Sequence, residues 1–185
     1  MKKMVVLNWV SIDGFIADAN GRIDFISQAP EIDKASHERI HADTMLIGRV
    51  TYQGLEAFWP KVAADAKSPP DLKKMAGEVL RMTKVVASKS LKEVTMENSQ
   101  LLKSGLIEGA KKLKQGAGGD IMVIGSGQLI PLLADAGLID EYLLAVTPVV
   151  LGSGRPQFKG AQQLKLKLTE AVNYPSGAVL LHYET

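Results

Sequence analysis

Cysteine is absent from all 185 residues. That excludes a disulfide framework, a thiolate zinc site, an iron–sulfur cluster and a cysteine nucleophile, and it fits a reducing compartment. Neither sign of charge prevails. Lys and Arg number 22 against 20 Asp and Glu, a formal net charge of +2, too balanced for a surface that grips nucleic acid or anionic membrane. Long hydrophobic runs are also missing. The longest apolar stretch, near residues 142–151, contains Thr147 and Pro148 and is about half the length that crosses a bilayer as a helix. The apolar run 4–10 behind Lys2 and Lys3 is interrupted by Asn8 and closed by Ser11 and Asp13, whereas a secretory core is longer and ends at a small-residue cleavage site. What is present is a globular composition, 46% apolar and 23% charged, with only 5% aromatic. These values predict one soluble, cytoplasmic domain over residues 1–185.

The pattern along the chain alternates. Residues 4–10 read as a buried strand, 11–24 as a loop, and 31–42 as a helix after Pro30. Residues 44–47 form a second strand closed by Gly48, and 51–58 a helix opening directly from it. Pro60, Pro69 and Pro70 make 59–71 a surface loop. Strands are expected at 84–88 and 121–124, with a further one beginning near Val94 and Thr95. Helices are expected at 104–114, capped by Ser104, and at 128–136, stopped by Gly137. A long strand over 141–151 precedes two alternating segments, 164–174 and 178–183, joined by Pro175-Ser176-Gly177 as a closing hairpin. The fold class is therefore α/β, a mixed and mostly parallel sheet flanked by helices with an antiparallel C-terminal edge.

The sharpest string match misleads. His37-Glu38-Arg39-Ile40-His41 spells H-E-x-x-H, which on a helix puts two imidazoles on one face for zinc. The remaining histidine, His182, lies on the expected last strand, and the helix ends within a turn of His41. A zinc hydrolase is kept only as a remote alternative, and no metal is expected.

Two glycine turns carry more. Gly48-Arg49-Val50-Thr51 and Gly125-Ser126-Gly127-Gln128 each lie between an apolar strand and a helix start. Helix N-termini present unpaired N–H groups to anions, and glycine removes the Cβ from the approach. Ligands of open α/β sheets sit beyond the carboxyl ends of the strands, so two such turns side by side suit a pyrophosphate. Ser88 and Lys89 follow another strand and suit a phosphomonoester, with Arg49 within reach of the same group. Neither G-x-G-x-x-G nor a Walker loop is present.

Six segments, 10–17, 47–52, 86–91, 124–127, 137–141 and 148–154, run in order over nearly the whole chain. They include Ser11-Ile12-Asp13-Gly14, Ile47-Gly48-Arg49, Ala87-Ser88-Lys89 and Ile124-Gly125-Ser126-Gly127. Together they resemble the dihydrofolate reductase-like superfamily, in the branch related to the reductase domain of bifunctional riboflavin biosynthesis proteins. The resemblance implies NADPH as cofactor and reduction of a small heterocycle, as in 5-amino-6-(5-phosphoribosylamino)uracil reductase. It implies that Gly48, Arg49 and Thr51 meet the phosphates, Ser88 and Lys89 the 2′-phosphate, and that Gly125, Ser126, Gly127 and Gln128 cradle the pyrophosphate. It places Ile16 and Ala17 against the nicotinamide and Asp13 at the substrate end as the acid. In dihydrofolate reductases proper the acid lies on the first helix, where Glu31 and Asp33 fall. A homodimer follows from the exposed strand edge. Residues 55–61, Leu-Glu-Ala-Phe-Trp-Pro-Lys, depart from the acidic, proline and arginine pattern of riboflavin reductase domains, and this keeps a binding module without turnover as the alternative. Trp9 and Trp59 are either cleft lining or core.

Overall fold

The computed structural model describes residues 1–26 and 30–185, with only the backbone of Pro30, Glu31, Asp33 and His37. Its strands are β1 (Met4–Ser11), β2 (Phe15–Ala17), β3 (Ala42–Gly48), β4 (Thr83–Ala87), β5 (Ser99–Leu101), β6 (Asp120–Ile124), β7 (Glu141–Thr147), β8 (Arg155–Pro156), β9 (Lys167–Asn173) and β10 (Val179–Glu184). Its helices are α1 (Pro30–Arg39), α2 (Arg49–Ala64), α3 (Pro70–Arg81), α4 (Leu106–Gln115) and α5 (Leu129–Asp135).

Eight strands form one sheet in the order β5-β4-β3-β6-β1-β7-β10-β9. All are parallel from β5 to β7, and β10 and β9 close the sheet antiparallel. The reason lies in the strand sequences. Both faces of β1 are buried because its residues are apolar at odd and even positions alike, as a central parallel strand requires. Val5 and Leu7 join Ile32 and Ala35 of α1, Tyr52 of α2 and Val79 of α3 on one face. Met4 and Val6 join Ala110 of α4 and Ile130 and Leu133 of α5 on the other. The result is three layers with the sheet in the middle.

Several boundaries differ from expectation. The 59–71 segment is not a loop: α2 runs through Pro60 to Ala64, and Pro70 opens α3 as an N-terminal proline. Ser104 does not cap α4; Gly105 takes that position without a side-chain bond. The strand expected to reach 151 stops at Thr147. No strand forms at Val94 and Thr95, and the 11–24 loop contains β2, which pairs with β8. Helix α1 ends at Arg39, so His41 lies beyond it and cannot share a helical face with His37. Among the described helices none is long and apolar enough to cross a membrane.

The register creates the opening that matters. β1 pairs with β6 only as far as Leu7↔Ile124, yet it pairs with β7 to Ser11↔Thr147. Past Leu7 the β6 side of β1 has no ladder partner, and the sheet parts at its carboxyl end.

Candidate active site

A cleft of about 1640 Å³ occupies that parting. The two glycine turns meet at its floor. The Gly48 amide donates to Ser126 Oγ at 2.8 Å, and a Cβ on Gly48 would sit 2.9 Å from that oxygen. On the other turn, Gly125 and Ser126 are both left-handed, with φ of 62° and 57°. A Cβ on Gly125 would come within 2.7 Å of Thr51 Oγ1. The expectation that residues 48–51 and 125–128 rim one hollow is met by direct contact.

A pair of buried amides holds this arrangement. Asn8 of β1 is 3% exposed and Gln157 is 2% exposed. The Gly125 amide donates to Asn8 Oδ1 at 2.6 Å, while Asn8 Nδ2 donates to Gly125 O at 3.3 Å and to Gln157 Oε1 at 2.6 Å. Gln157 Nε2 has no partner among the described residues. Asn8 was not singled out from the sequence as a site residue; a polar residue inside an otherwise apolar buried strand was the available signal.

Lys89 follows the end of β4, whose Ala87 pairs with Gly48. Ser88 Oγ accepts from the amides of Ser90 at 3.2 Å and Leu91 at 3.0 Å, which bends the chain under the lysine. The rest of this connection is tied to α2. The amides of Thr95 and Met96 both donate to Tyr52 Oη at 2.9 Å, and Tyr52 Oη donates to Glu56 Oε1 at 2.6 Å. Hydrogen bonds from Thr95 Oγ1 and then Tyr52 hold the Glu56 carboxyl below its ordinary value.

Ile16, Ala17, Gly48, Arg49, Thr51, Ser88, Lys89, Gly125, Ser126, Gly127 and Gln128 all line the cleft, as do Trp9 and Trp59. Asp13 does not. Its carboxylate accepts from Ser11 Oγ at 2.6 Å, the Leu151 amide at 3.1 Å and the Gly152 amide at 2.7 Å. The Ser11 bond first, and those amides after it, draw its pKa down. Asp13 therefore clasps the segment after β7. The side chains of Glu31 and Asp33 lie outside the described ones. His182 bonds Glu141 at 3.0 Å, and among the described residues no group of three His, Asp or Glu is placed to hold a metal.

A mostly parallel sheet with an antiparallel edge, open at its strand ends over glycine turns, is the architecture of dihydrofolate reductase-like proteins. The NADP(H) complex of Enterococcus faecalis dihydrofolate reductase superposes with a TM-score of 0.67 at 14% identity, covering 98% of this chain and 95% of that one. A Shewanella sp. PV-4 protein assigned to riboflavin biosynthesis superposes with a TM-score of 0.74 at 23% identity, over 100% of this chain and 98% of its own. YyaP of Bacillus subtilis (strain 168), an uncharacterized protein, is 30% identical over 175 residues, 94% of this chain and 90% of that protein. The RibD C-terminal domain model matches residues 2–180, and the chain belongs to that family.

Proposed function

We propose that the chain is an NADPH-dependent reductase of a small heterocyclic substrate, resembling the aminouracil reductases of riboflavin biosynthesis. One observation carries the reading: the 2.8 Å bond from the Gly48 amide to Ser126 Oγ makes two glycine turns one cradle. The residues fit the cofactor. The cradle is kept free of Cβ atoms at Gly48 and Gly125, and Arg49 and Lys89 bring positive charge to the ends of β3 and β4.

In this reading Gly125, Ser126, Gly127 and Gln128 hold the pyrophosphate. Gly48, Arg49 and Thr51 approach it at the start of α2, where helix N–H groups have no intrahelical partner. Ser88 and Lys89 hold the 2′-phosphate, and Ile16 and Ala17 form the wall against the nicotinamide. When bound, NADPH would supply the hydride for the carbon of a substrate C=N bond. The proton for the nitrogen would come from water at the cleft mouth, since Asp13 is not among the lining residues. Apart from charge, what the chain supplies is position.

Titration of NADPH and NADH tests this. NADPH is expected to bind at least tenfold tighter, and Lys89→Ala to weaken it about 10- to 100-fold, the value of one charge-assisted contact, with NADH changed less than twofold. Equal weakening removes Lys89 from the role. The clasped Asp13, outside the lining, favours a second reading in which the cofactor binds without turnover. Substrate-dependent loss of absorbance at the reduced nicotinamide band decides between the two. We further propose a cytoplasmic homodimer, because β9 leaves one edge of the sheet unpaired. Light scattering at a mass near 19.9 kDa would refute the dimer.

A further inference from the structure

Where the β1–β6 ladder ends, a side chain takes over from it. Asn8 of β1 bonds both the amide and the carbonyl of Gly125, the residue after β6. The same Asn8 Nδ2 donates at 2.6 Å to Gln157 Oε1. Gln157 follows β8 directly, and its own amide donates to Gly14 O at 2.9 Å, extending the β2–β8 pairing by one bond. This two-stranded strap lies against the second glycine turn. A Cβ on Gly127 would stand 3.2 Å from Pro156 O and 3.4 Å from Ile16 Cδ1. Ile16, Ala17 and Arg155 of the strap line the cleft, and Gln157 itself does not. The run Gly125–Asn8–Gln157 thus joins the turn to the strap through buried amides.

As a source of stability the link is poor. Gln157 is 2% exposed, and its Nε2 has no partner among the described residues. A buried donor left unpaired costs about as much as the bond made at Oε1 returns. Leucine has a similar volume and asks for no partner, and the backbone bond to Gly14 does not depend on the side chain. What leucine lacks is direction. A short amide–amide bond fixes one alignment, whereas apolar packing tolerates several.

We propose that Gln157 is a positioning residue: through Asn8 it keeps the β2–β8 strap aligned with the Gly125–Gln128 turn, so that the strap meets the nicotinamide end of a dinucleotide whose phosphates the turn holds. The proposal rests on the cofactor reading above. It gives the two ends of the cofactor separate dependences. Without the link the phosphate end binds as before and the nicotinamide end loses its wall.

The test compares NADPH with 2′-phosphoadenosine 5′-diphosphoribose, the same molecule without its nicotinamide ring, each titrated calorimetrically into wild-type protein and Gln157→Leu. In the wild type NADPH is expected to bind at least tenfold tighter than the ring-less ligand. In Gln157→Leu the ring-less ligand should change less than twofold and the advantage of NADPH should fall below threefold. The emission anisotropy of bound nicotinamide should fall with it, while the urea midpoint stays close to that of the wild type. Should the leucine variant not fold, Gln157→Met, of the same length, carries the same expectations. Equal weakening of the two ligands, or an unchanged ratio between them, overturns the proposal. If wild-type protein binds neither ligand, the cofactor reading fails. Amide exchange of the ligand-free protein then judges the link: at least fivefold faster exchange over residues 14–17 and 154–157 in Gln157→Leu keeps the alignment with Gln157, and unchanged exchange removes it.

Discussion

Ser126 holds a left-handed backbone that costs a non-glycine residue about 1–2 kcal/mol, next to Gly125 of the same hand. Asn8 keeps it there by bonding both the amide and the carbonyl of Gly125. Asn8→Ala leaves the part-buried Gly125 amide without its acceptor. We expect a loss of about 1–3 kcal/mol in unfolding free energy, read from urea midpoints, together with at least tenfold weaker NADPH binding. A stability loss with unchanged NADPH affinity would make Asn8 structural only. Asp13 calls for a different pair of variants. If it clasps the segment after β7, Asp13→Asn keeps an acceptor for the Gly152 amide and keeps turnover and its pH profile, whereas Asp13→Ala loosens the segment. An acid in the reaction would be lost in both. The glycine turns were legible because a strand running into glycine is a local pattern. The Asn8–Gln157 bond spans 149 positions, and nothing local marks it. Asp13 stood in a recognisable segment, but its partners at 151 and 152 are supplied by tertiary structure.

Elements were legible where hydrophobic period and length agreed, as in β1, β6 and the closing β9–β10 hairpin. They were missed where proline carries two meanings. Pro70 looked like a break and is the first residue of α3, a position whose amide has no partner in any helix. Pro60 lies inside α2, whose continuation is secured by packing, with Val62 buried beyond it. The far end of α3 is tied by two side chains, Asn98, whose Nδ2 donates to Leu80 O at 3.0 Å, and Lys84. Lys84 is 0% exposed, and its Nζ donates to Val79 O at 3.0 Å and Leu80 O at 2.8 Å, two carbonyls at the negative end of that helix. Lys84→Met fills the same space without the donors. We expect the urea midpoint to fall, by about 1–3 kcal/mol in free energy, and amide exchange to accelerate over the last turn of α3. Unchanged exchange would show that the last turn of α3 is held without Lys84.

Across the whole molecule, carboxylates tie distant segments together. The Arg39 bonds hold the Glu170 carboxyl below its ordinary value, and that pair joins α1 to β9. At Asp43, burial pushes the carboxyl up. Lys2, Thr44 and the Gly119 amide outweigh it and bring the pKa down, linking the N-terminus to the turn before β6. Glu56, held low by Thr95 and Tyr52, joins α2 to the β4–β5 connection. The sign is the same for each. A carboxyl with a folded pKa below its unfolded value contributes stability that is complete above the unfolded value, about 4–4.5, and is lost as pH falls through the folded one. The thermal midpoint should therefore be flat from about pH 8 to 5.5 and decline below about 4.5. Glu170→Gln removes one titrating partner and should make that decline shallower, while lowering the midpoint modestly at neutral pH, since a part-exposed pair is screened by solvent. An unchanged slope below pH 4.5 would assign the acid sensitivity to the other links and reduce the α1–β9 clasp to a surface contact.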